Sequence, residues 1–168
     1  MPKAIRVLDA VNEAAGRVAG ALALALVALM FALVVLRDAF GWGSIAAQEA
    51  VLWLHGALFL LSLGYALRHN AHVRVDVLSQ RWSPRRRAQV EIAGLLLFLL
   101  PLCVFMFWMS FDYVAASWSQ REGSNSGGLP GWFLVKTLIP LSATLLFLQA
   151  LAQGMRALAV LRGEQPPP

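Results

Sequence analysis

Residues 18–36 read VAGALALALVALMFALVVL, a run of 19 residues without Lys, Arg, Asp or Glu. Three further charge-free runs of 18 to 20 residues follow at 50–67, 92–111 and 137–155. Because a helix rises about 1.5 Å per residue, each run extends roughly 27 to 30 Å, the thickness of the hydrocarbon layer of a bilayer. The pattern predicts an all-α integral membrane protein with four transmembrane helices.

The composition excludes an ordinary soluble protein. Of the 168 residues, 59% are hydrophobic and only 14% are charged, against about 25% charged in soluble domains. The segments outside the four runs are too short for a nucleotide-binding, protease or nucleic-acid-binding domain, so we expect one membrane domain over 1–168. The net charge of +5 then reflects membrane topology and not nucleic-acid binding. The single cysteine, Cys103, excludes an intramolecular disulfide and a thiolate metal cluster, and no cofactor is expected.

Lys and Arg residues are distributed unequally between the two sides of the predicted membrane. The N-terminal segment 1–17, the central loop 68–91 and the segment after residue 155 carry eleven of them, whereas the other side has only Arg37, Arg121 and Lys136. The positive-inside rule therefore predicts that both termini and the basic loop are cytoplasmic. The first run exceeds the roughly 7 to 15 apolar residues of a signal peptide, so we expect a retained signal anchor.

The N-terminal segment 1–17 has its own helical pattern. Its apolar positions Ile5, Leu8, Val11 and Ala15 recur at helical spacing, with charged residues between them. This spacing predicts a short amphipathic helix that lies on the inner leaflet and then turns into the first span. The alternative is that the first helix continues straight out of the membrane as a solvated extension.

Polar residues in the second run indicate contacts with protein. Glu49 precedes the run, where a carboxylate is favoured by the helix dipole or contacts a partner at the outer surface. His55 and Ser62 are seven residues apart and share a helix face. We expect a neutral His55 that hydrogen-bonds a neighbouring helix, with proton transfer or haem ligation as alternatives.

The other two runs add a proline and a polar stripe. Pro101 should kink the third helix or free a backbone carbonyl. Ser142, Gln149 and Gln153 form a stripe on the fourth helix that should face protein, because amides in hydrocarbon seek hydrogen-bonding partners. No run has a carboxylate near its midpoint, where one would normally mark coupling-ion chemistry. A helper subunit is therefore expected, and not an enzyme or a self-sufficient transporter.

The central loop 68–91 is strongly basic. Ser83 and Pro84 predict the N-cap and first turn of the third helix. The arginines that follow, Arg85, Arg86 and Arg87, should anchor the chain to anionic phospholipid, at about 1 kcal/mol for each charge. Residues 73–77 alternate like a strand, but an isolated strand would lack a pairing partner, so a short interfacial helix or turn is predicted.

Three segments carry a resemblance to a known family. They are Gln48-Glu49 through Gly64-Tyr65, His72-Val73-Arg74-Val75-Asp76, and Leu129-Pro130-Gly131-Trp132 leading into Lys136 and Ile139-Pro140. With the four-helix pattern, they resemble the small integral-membrane subunit of tripartite ATP-independent periplasmic (TRAP) transporters, the DctQ or small permease family. The family often has a tryptophan and two acids at the start of the second span, where this chain has Ala47, Gln48 and Glu49.

The resemblance implies a subunit of the bacterial inner membrane with two protein partners. One is a large DctM-type membrane subunit, which holds the substrate and sodium sites and moves as an elevator. The other is a periplasmic solute-binding protein that delivers an organic acid or a similar solute. The small subunit would anchor the static scaffold. The alternatives are a haem- or quinone-binding anchor of a redox complex and a homo-oligomeric transporter.

Two sets of residues are candidates for contacts in such a complex. The partner contacts are expected at charged residues of the outer side and at two amides of the fourth helix: Arg37, Asp38, Glu49, Arg121, Glu122, Gln149 and Gln153. The inner loop is expected to be held in place by a second set: Arg68, His72 and Asp76.

Overall fold

The structure is a computed structural model that describes residues 3–71 and 82–163. It contains five α-helices and one π-helical turn: α1 (Lys3–Phe40), α2 (Ile45–Arg68), α3 (Pro84–Gly94), the turn Leu95–Leu99, α4 (Leu100–Ser119) and α5 (Trp132–Leu161). Within these residues the only β pairing is an isolated bridge between Gly123 and Pro130. The predicted interfacial helix or turn at 73–77, and with it His72 and Asp76, lies outside the described residues.

Four helical segments are long and apolar enough to cross a membrane: α1, α2, the continuous rod Pro84–Ser119 and α5. Each contains one of the charge-free runs, so the all-α architecture with four candidate spans is confirmed. The shortest, α2, has 24 residues and extends about 36 Å, which is enough to cross the hydrocarbon layer with some tilt.

The first helix differs from the predicted path. The structure has one uninterrupted helix from Lys3 to Phe40, so the predicted turn between an amphipathic segment and the first span is absent and that prediction is wrong. The alternative, a helix that continues straight out of the first span, is confirmed in its path, but one face of the extension is packed and not solvated, because Ile5, Asp9 and Asn12 are buried. Contacts with α2 and α5 hold this segment in line with the span. They cover the helix face that the inner leaflet would otherwise cover.

The rod Pro84–Ser119 begins and bends as its sequence indicates. The Ser83 side chain accepts a hydrogen bond from the backbone N–H of Arg86 at 3.3 Å, with Pro84 in the first turn. Pro101 has no N–H to offer the preceding turn. Directly before it, the backbone N–H of Leu100 bonds to the carbonyl of Leu95, which makes the π-helical turn. The disturbance expected at Pro101 therefore takes the form of a π turn within a continuous helix.

Helix α5 lies at the centre of the molecule. It packs against α1 and α2 on one side and against α3 and α4 on the other, whereas those two pairs have hardly any contact with each other. In its most apolar stretch 33% of the residues are buried, against 6 to 11% in the other three spans. The broad apolar surfaces of α1, α2 and α4 therefore face outward.

Glycines set the spacing between α1 and α2. A Cβ atom at Gly64 would overlap the side-chain amide of Asn12 and lie 3.1 Å from the backbone oxygen of Leu145. A Cβ at Gly16 would overlap the ring of Tyr65. Without side chains at these two positions, α1 and α2 approach closely and bury Asn12 between them.

Candidate functional site: two polar clusters

A cluster of polar and charged side chains joins the N-terminal part of α1 to the ends of α2 and α5. We call it the Asp9 cluster, and it consists of Asp9, Glu13, Arg68, His69, Gln149 and Arg156. The Asp9 carboxylate, whose side chain is 9% exposed, forms an ion pair with Arg156. It also accepts a hydrogen bond from Gln149 Nε2 at 3.2 Å, while Arg68 donates to the Asp9 backbone carbonyl at 2.9 Å. One residue of α1 thus connects α2 with α5.

The second part of the Asp9 cluster is more exposed. The guanidinium of Arg68 pairs with Glu13 Oε2 at 2.7 Å, and His69 Nε2 lies 3.1 Å from the same oxygen. The ring of His69 packs against Tyr65 with 4.2 Å between centroids. Solvent weakens ion pairs with this exposure, whereas removing one partner of a buried pair leaves an uncompensated charge. The fold should therefore be more sensitive to changes at Asp9 than to changes at Glu13.

The predicted stripe on α5 faces protein, but that protein is this chain. Gln149 is fully buried and bonds to Asp9. Gln153 donates a hydrogen bond to Glu91 of α3 and so joins the rod to α5. Gln149 has no surface to offer a second subunit in this packing. A partner contact at Gln153 stays a prediction.

A second cluster lies at the opposite end of the helices, around the loop between α4 and α5. We call it the loop cluster, and it consists of Glu49, Ser117, Glu122, Ser124 and Lys136. The Glu49 carboxylate accepts hydrogen bonds from Ser124 Oγ and from the backbone N–H of Leu129, the latter at 2.7 Å. Glu49 lies just after the first turn of α2, so these bonds hold the loop against the N-terminal part of that helix.

Glu122 is the second acid of the loop cluster. It accepts hydrogen bonds from Lys136 and from Ser117 Oγ, the latter at 2.6 Å. The Lys136 ammonium also lies 4.1 Å from the ring centroid of Tyr113. The hydrogen bonds donated by Lys136 and Ser117 lower the pKa of Glu122, so its carboxylate is ionised at neutral pH. These contacts tie the end of α4 to the start of α5.

Aromatic side chains surround the loop cluster. Trp118 donates a hydrogen bond to Thr137 at 2.9 Å and packs on Phe133 with 4.5 Å between centroids. Trp53 meets Trp132 edge to face at 5.8 Å. Tryptophans of this kind are typical of membrane–water interfaces. The loop cluster therefore marks one edge of the membrane layer.

The five charged residues predicted as outer partner contacts do not come together. Glu49 and Glu122 bind within the chain, as described above. Arg37 and Asp38 pair with each other at 3.0 Å, with side chains 69% and 62% exposed. Arg121 is exposed after the end of α4, in a left-handed conformation with φ of 45°. Partner binding by these residues stays a prediction. Arg37, Asp38 and Arg121 are exposed, as such binding requires.

The residues predicted for the basic loop also separate. Arg68 belongs to the Asp9 cluster. Arg86 stacks over the Trp82 ring at 4.9 Å, and it lies with Arg85 and Arg87 on the exposed surface of the first turn of α3. Binding of phospholipid there stays a prediction.

Two important side chains, Asp9 and Arg156, were not singled out as a pair by sequence reasoning. A signal was present, since Asp9 follows Ile5 by four positions and precedes Asn12 by three, which places an acid on the face that becomes buried.

His55 was singled out, but it lies exposed on α2 and makes no hydrogen bond to any residue that the structure describes. The predicted hydrogen bond to a neighbouring helix is not made to the described residues of this chain and stays a prediction.

Both clusters join helices of this chain. Across the described ranges, no group of three or more His, Cys, Asp and Glu side chains is placed to hold a metal ion. The carboxylates of the clusters are paired with basic groups, hydroxyl groups or a backbone N–H, and these contacts position the helices.

Comparison with known proteins gives one match. A family model described as "Tripartite ATP-independent periplasmic transporters, DctQ component" matches residues 8–160. No curated protein and no solved structure matches the chain. The matched region contains both polar clusters, from Asp9 to Arg156. The chain therefore belongs to the DctQ component family of TRAP transporters, the small permease component.

Proposed function

We propose that this chain is the accessory subunit that anchors the large, DctM-type subunit of a TRAP transporter in the bacterial inner membrane. The transporter would take up an organic acid or a similar solute delivered by a periplasmic binding protein, with sodium coupling in the large subunit. The family match over residues 8–160 is the observation that carries this proposal.

The internal contacts support a static role. Helix α5 is tied to α1 and α3 at one end by Asp9 and by Gln153, and Arg68 of α2 bonds to the same residue of α1. At the other end the loop cluster ties it to α4 and to the loop that covers α2. Because both ends of the central helix are held, the four spans should move as one body. A rigid body in the bilayer suits a scaffold against which another subunit moves.

The distribution of charge supports an orientation with both termini in the cytoplasm. In that orientation the Asp9 cluster and the arginines of α3 lie at the cytoplasmic face, next to anionic phospholipid. The loop cluster and the exposed residues Arg37, Asp38 and Arg121 lie at the periplasmic face. These three side chains are our candidates for contact with the binding protein.

The first experiment is purification of a tagged chain from its native membrane in mild detergent, followed by mass spectrometry of the proteins that accompany it. We expect a stoichiometric partner with about a dozen predicted transmembrane helices. A chain that elutes alone, or only with copies of itself, would contradict the scaffold function. Reconstituted transport and a Soret absorbance band would then test the homo-oligomeric transporter and the redox anchor.

A further inference from the structure

The outward face of α2 has a regular seven-residue repeat. Two columns of side chains run along it, an apolar column of Ile45, Leu52 and Phe59 and a polar column of Gln48, His55 and Ser62. The apolar column is 51 to 59% exposed, and Gln48 and His55 are exposed as well. We call these six residues the α2 seam. A repeat of seven is the spacing with which one helix packs along another at a shallow left-handed crossing.

The polar column of the α2 seam is unsuited to lipid. The side chains of Gln48 and His55 make no hydrogen bond to the described residues. Ser62 Oγ donates only to the carbonyl of Phe59 in its own helix, at 2.9 Å. His55 lies about 8 Å inside the charge-free run 50–67, at 1.5 Å per residue. An ionisable side chain at such a position normally faces protein, because lipid offers it no partner.

The exposed surfaces of the other spans are different. The most exposed side chains of α1 and of the rod are apolar, with Leu24 at 75% and both Phe98 and Trp108 at 74%. Run 18–36 of α1 contains no polar side chain. In run 92–111 the one hydroxyl, that of Ser110, is buried and bonds to its own helix. These surfaces are suited to lipid, whereas α2 exposes an ionisable side chain, that of His55, within its charge-free run.

We infer that the α2 seam is the surface on which a transmembrane helix of the large subunit docks. This inference rests on the proposed function. The docked helix crosses α2 at about 20°, as left-handed membrane pairs do. It packs apolar side chains against Leu52 and Phe59, and it presents a hydrogen-bonding group to His55. The imidazole, which has no partner among the described residues of this chain, obtains one from the other subunit.

Photo-crosslinking in the native membrane tests this surface. A photoreactive amino acid is placed at Leu52 or Phe59, with Leu24 and Phe98 as matched controls that are more exposed. We expect an adduct with the co-purifying large subunit from the two seam positions and none from the controls. Adducts from the controls alone, adducts with a second copy of this chain, or none from the seam would overturn the inference. If the large subunit still co-purifies in those cases, the proposed function stands. If it does not co-purify, both the inference and the proposed function fail.

Substitution of His55 tests the hydrogen bond separately. One interhelical hydrogen bond in a membrane changes association by about three- to twentyfold. We expect H55L to lower the amount of large subunit retained at a fixed detergent concentration by that factor. The variant H55Q, which keeps a hydrogen-bonding group, should retain more, and F98L should match the unmodified chain. An unchanged yield with H55L, in a chain that elutes as one sharp species, would show that His55 makes no contact there.

Discussion

Neutralising Asp9 tests the main ionic contact of the fold. The substitution Asp9→Asn preserves shape but removes the charge that faces Arg156, whose side chain is only 23% exposed. Removing one partner of a fully buried pair costs about 3 to 5 kcal/mol. Because Arg156 is partly exposed, we expect about 2 to 3 kcal/mol. At about 2 to 4 °C for each kcal/mol in a chain of this size, the melting temperature should fall by roughly 4 to 12 °C.

The chain contains its own reporter for this measurement. Cys103 is 1% exposed and is the single cysteine, so a thiol-reactive dye in detergent solution labels it only when the helices separate. The control is Asp38→Asn, because the Arg37–Asp38 pair is largely exposed and such pairs contribute little. Combining Asp9→Asn with Arg156→Gln should cost less than the sum of the two single changes.

A shift of less than 1 °C for Asp9→Asn would refute this reasoning. It would show that Arg156 finds another partner or water, and that the other contacts of α1 are sufficient to hold it in place. An additive double variant would show that Asp9 and Arg156 do not interact.

Three further predictions concern other parts of the molecule. Gly64→Ala should destabilise the chain by roughly 1 to 3 kcal/mol through overpacking, measured with the same dye, whereas Gly20→Ala should have no such effect because nothing lies within 4 Å of its Cβ position. The lowered pKa of Glu122 means that its contribution to stability is complete above the ordinary glutamate pKa and is lost as the pH falls through the lowered value. Tryptophan fluorescence should report that loss in the unmodified chain and a smaller one in Glu122→Gln. In a Cys103→Ala background, a membrane-impermeant maleimide should label Ser126→Cys from the periplasm and Arg162→Cys only after lysis, and the reverse pattern would contradict the proposed orientation.

Several local features were predictable because they depend on neighbours in the chain. The four membrane-length helices follow from charge-free runs of sufficient length. The Ser83 cap with Pro84 in the first turn, and the local disturbance before Pro101, follow from the backbone chemistry of those residues. The resemblance to the DctQ family was confirmed over residues 8–160.

Most features of the polar clusters were not predictable in this way. Glu49 looked like an ordinary first-turn acid or a partner contact, and its hydrogen bonds to the loop 80 positions further on depend on how α2 and α5 pack. Gln149 was expected to face protein, but the sequence pattern could not distinguish a second subunit from α1 of the same chain. In each case the partner is distant in sequence, and helical periodicity contains no information on which helices are neighbours.

The sequence by itself determined that this protein lies in a membrane, how many spans it has and which helix faces carry polar groups. These features depend on the length and period of apolar runs. Only the tertiary structure decided which polar groups find partners within the chain. It placed α5 at the centre, paired Asp9 with Arg156 across 147 positions and left His55 on the surface of α2 with no partner among the residues that the structure describes. Those outcomes depend on close approach between distant segments, which the glycines at positions 16 and 64 permit and which no local pattern specifies.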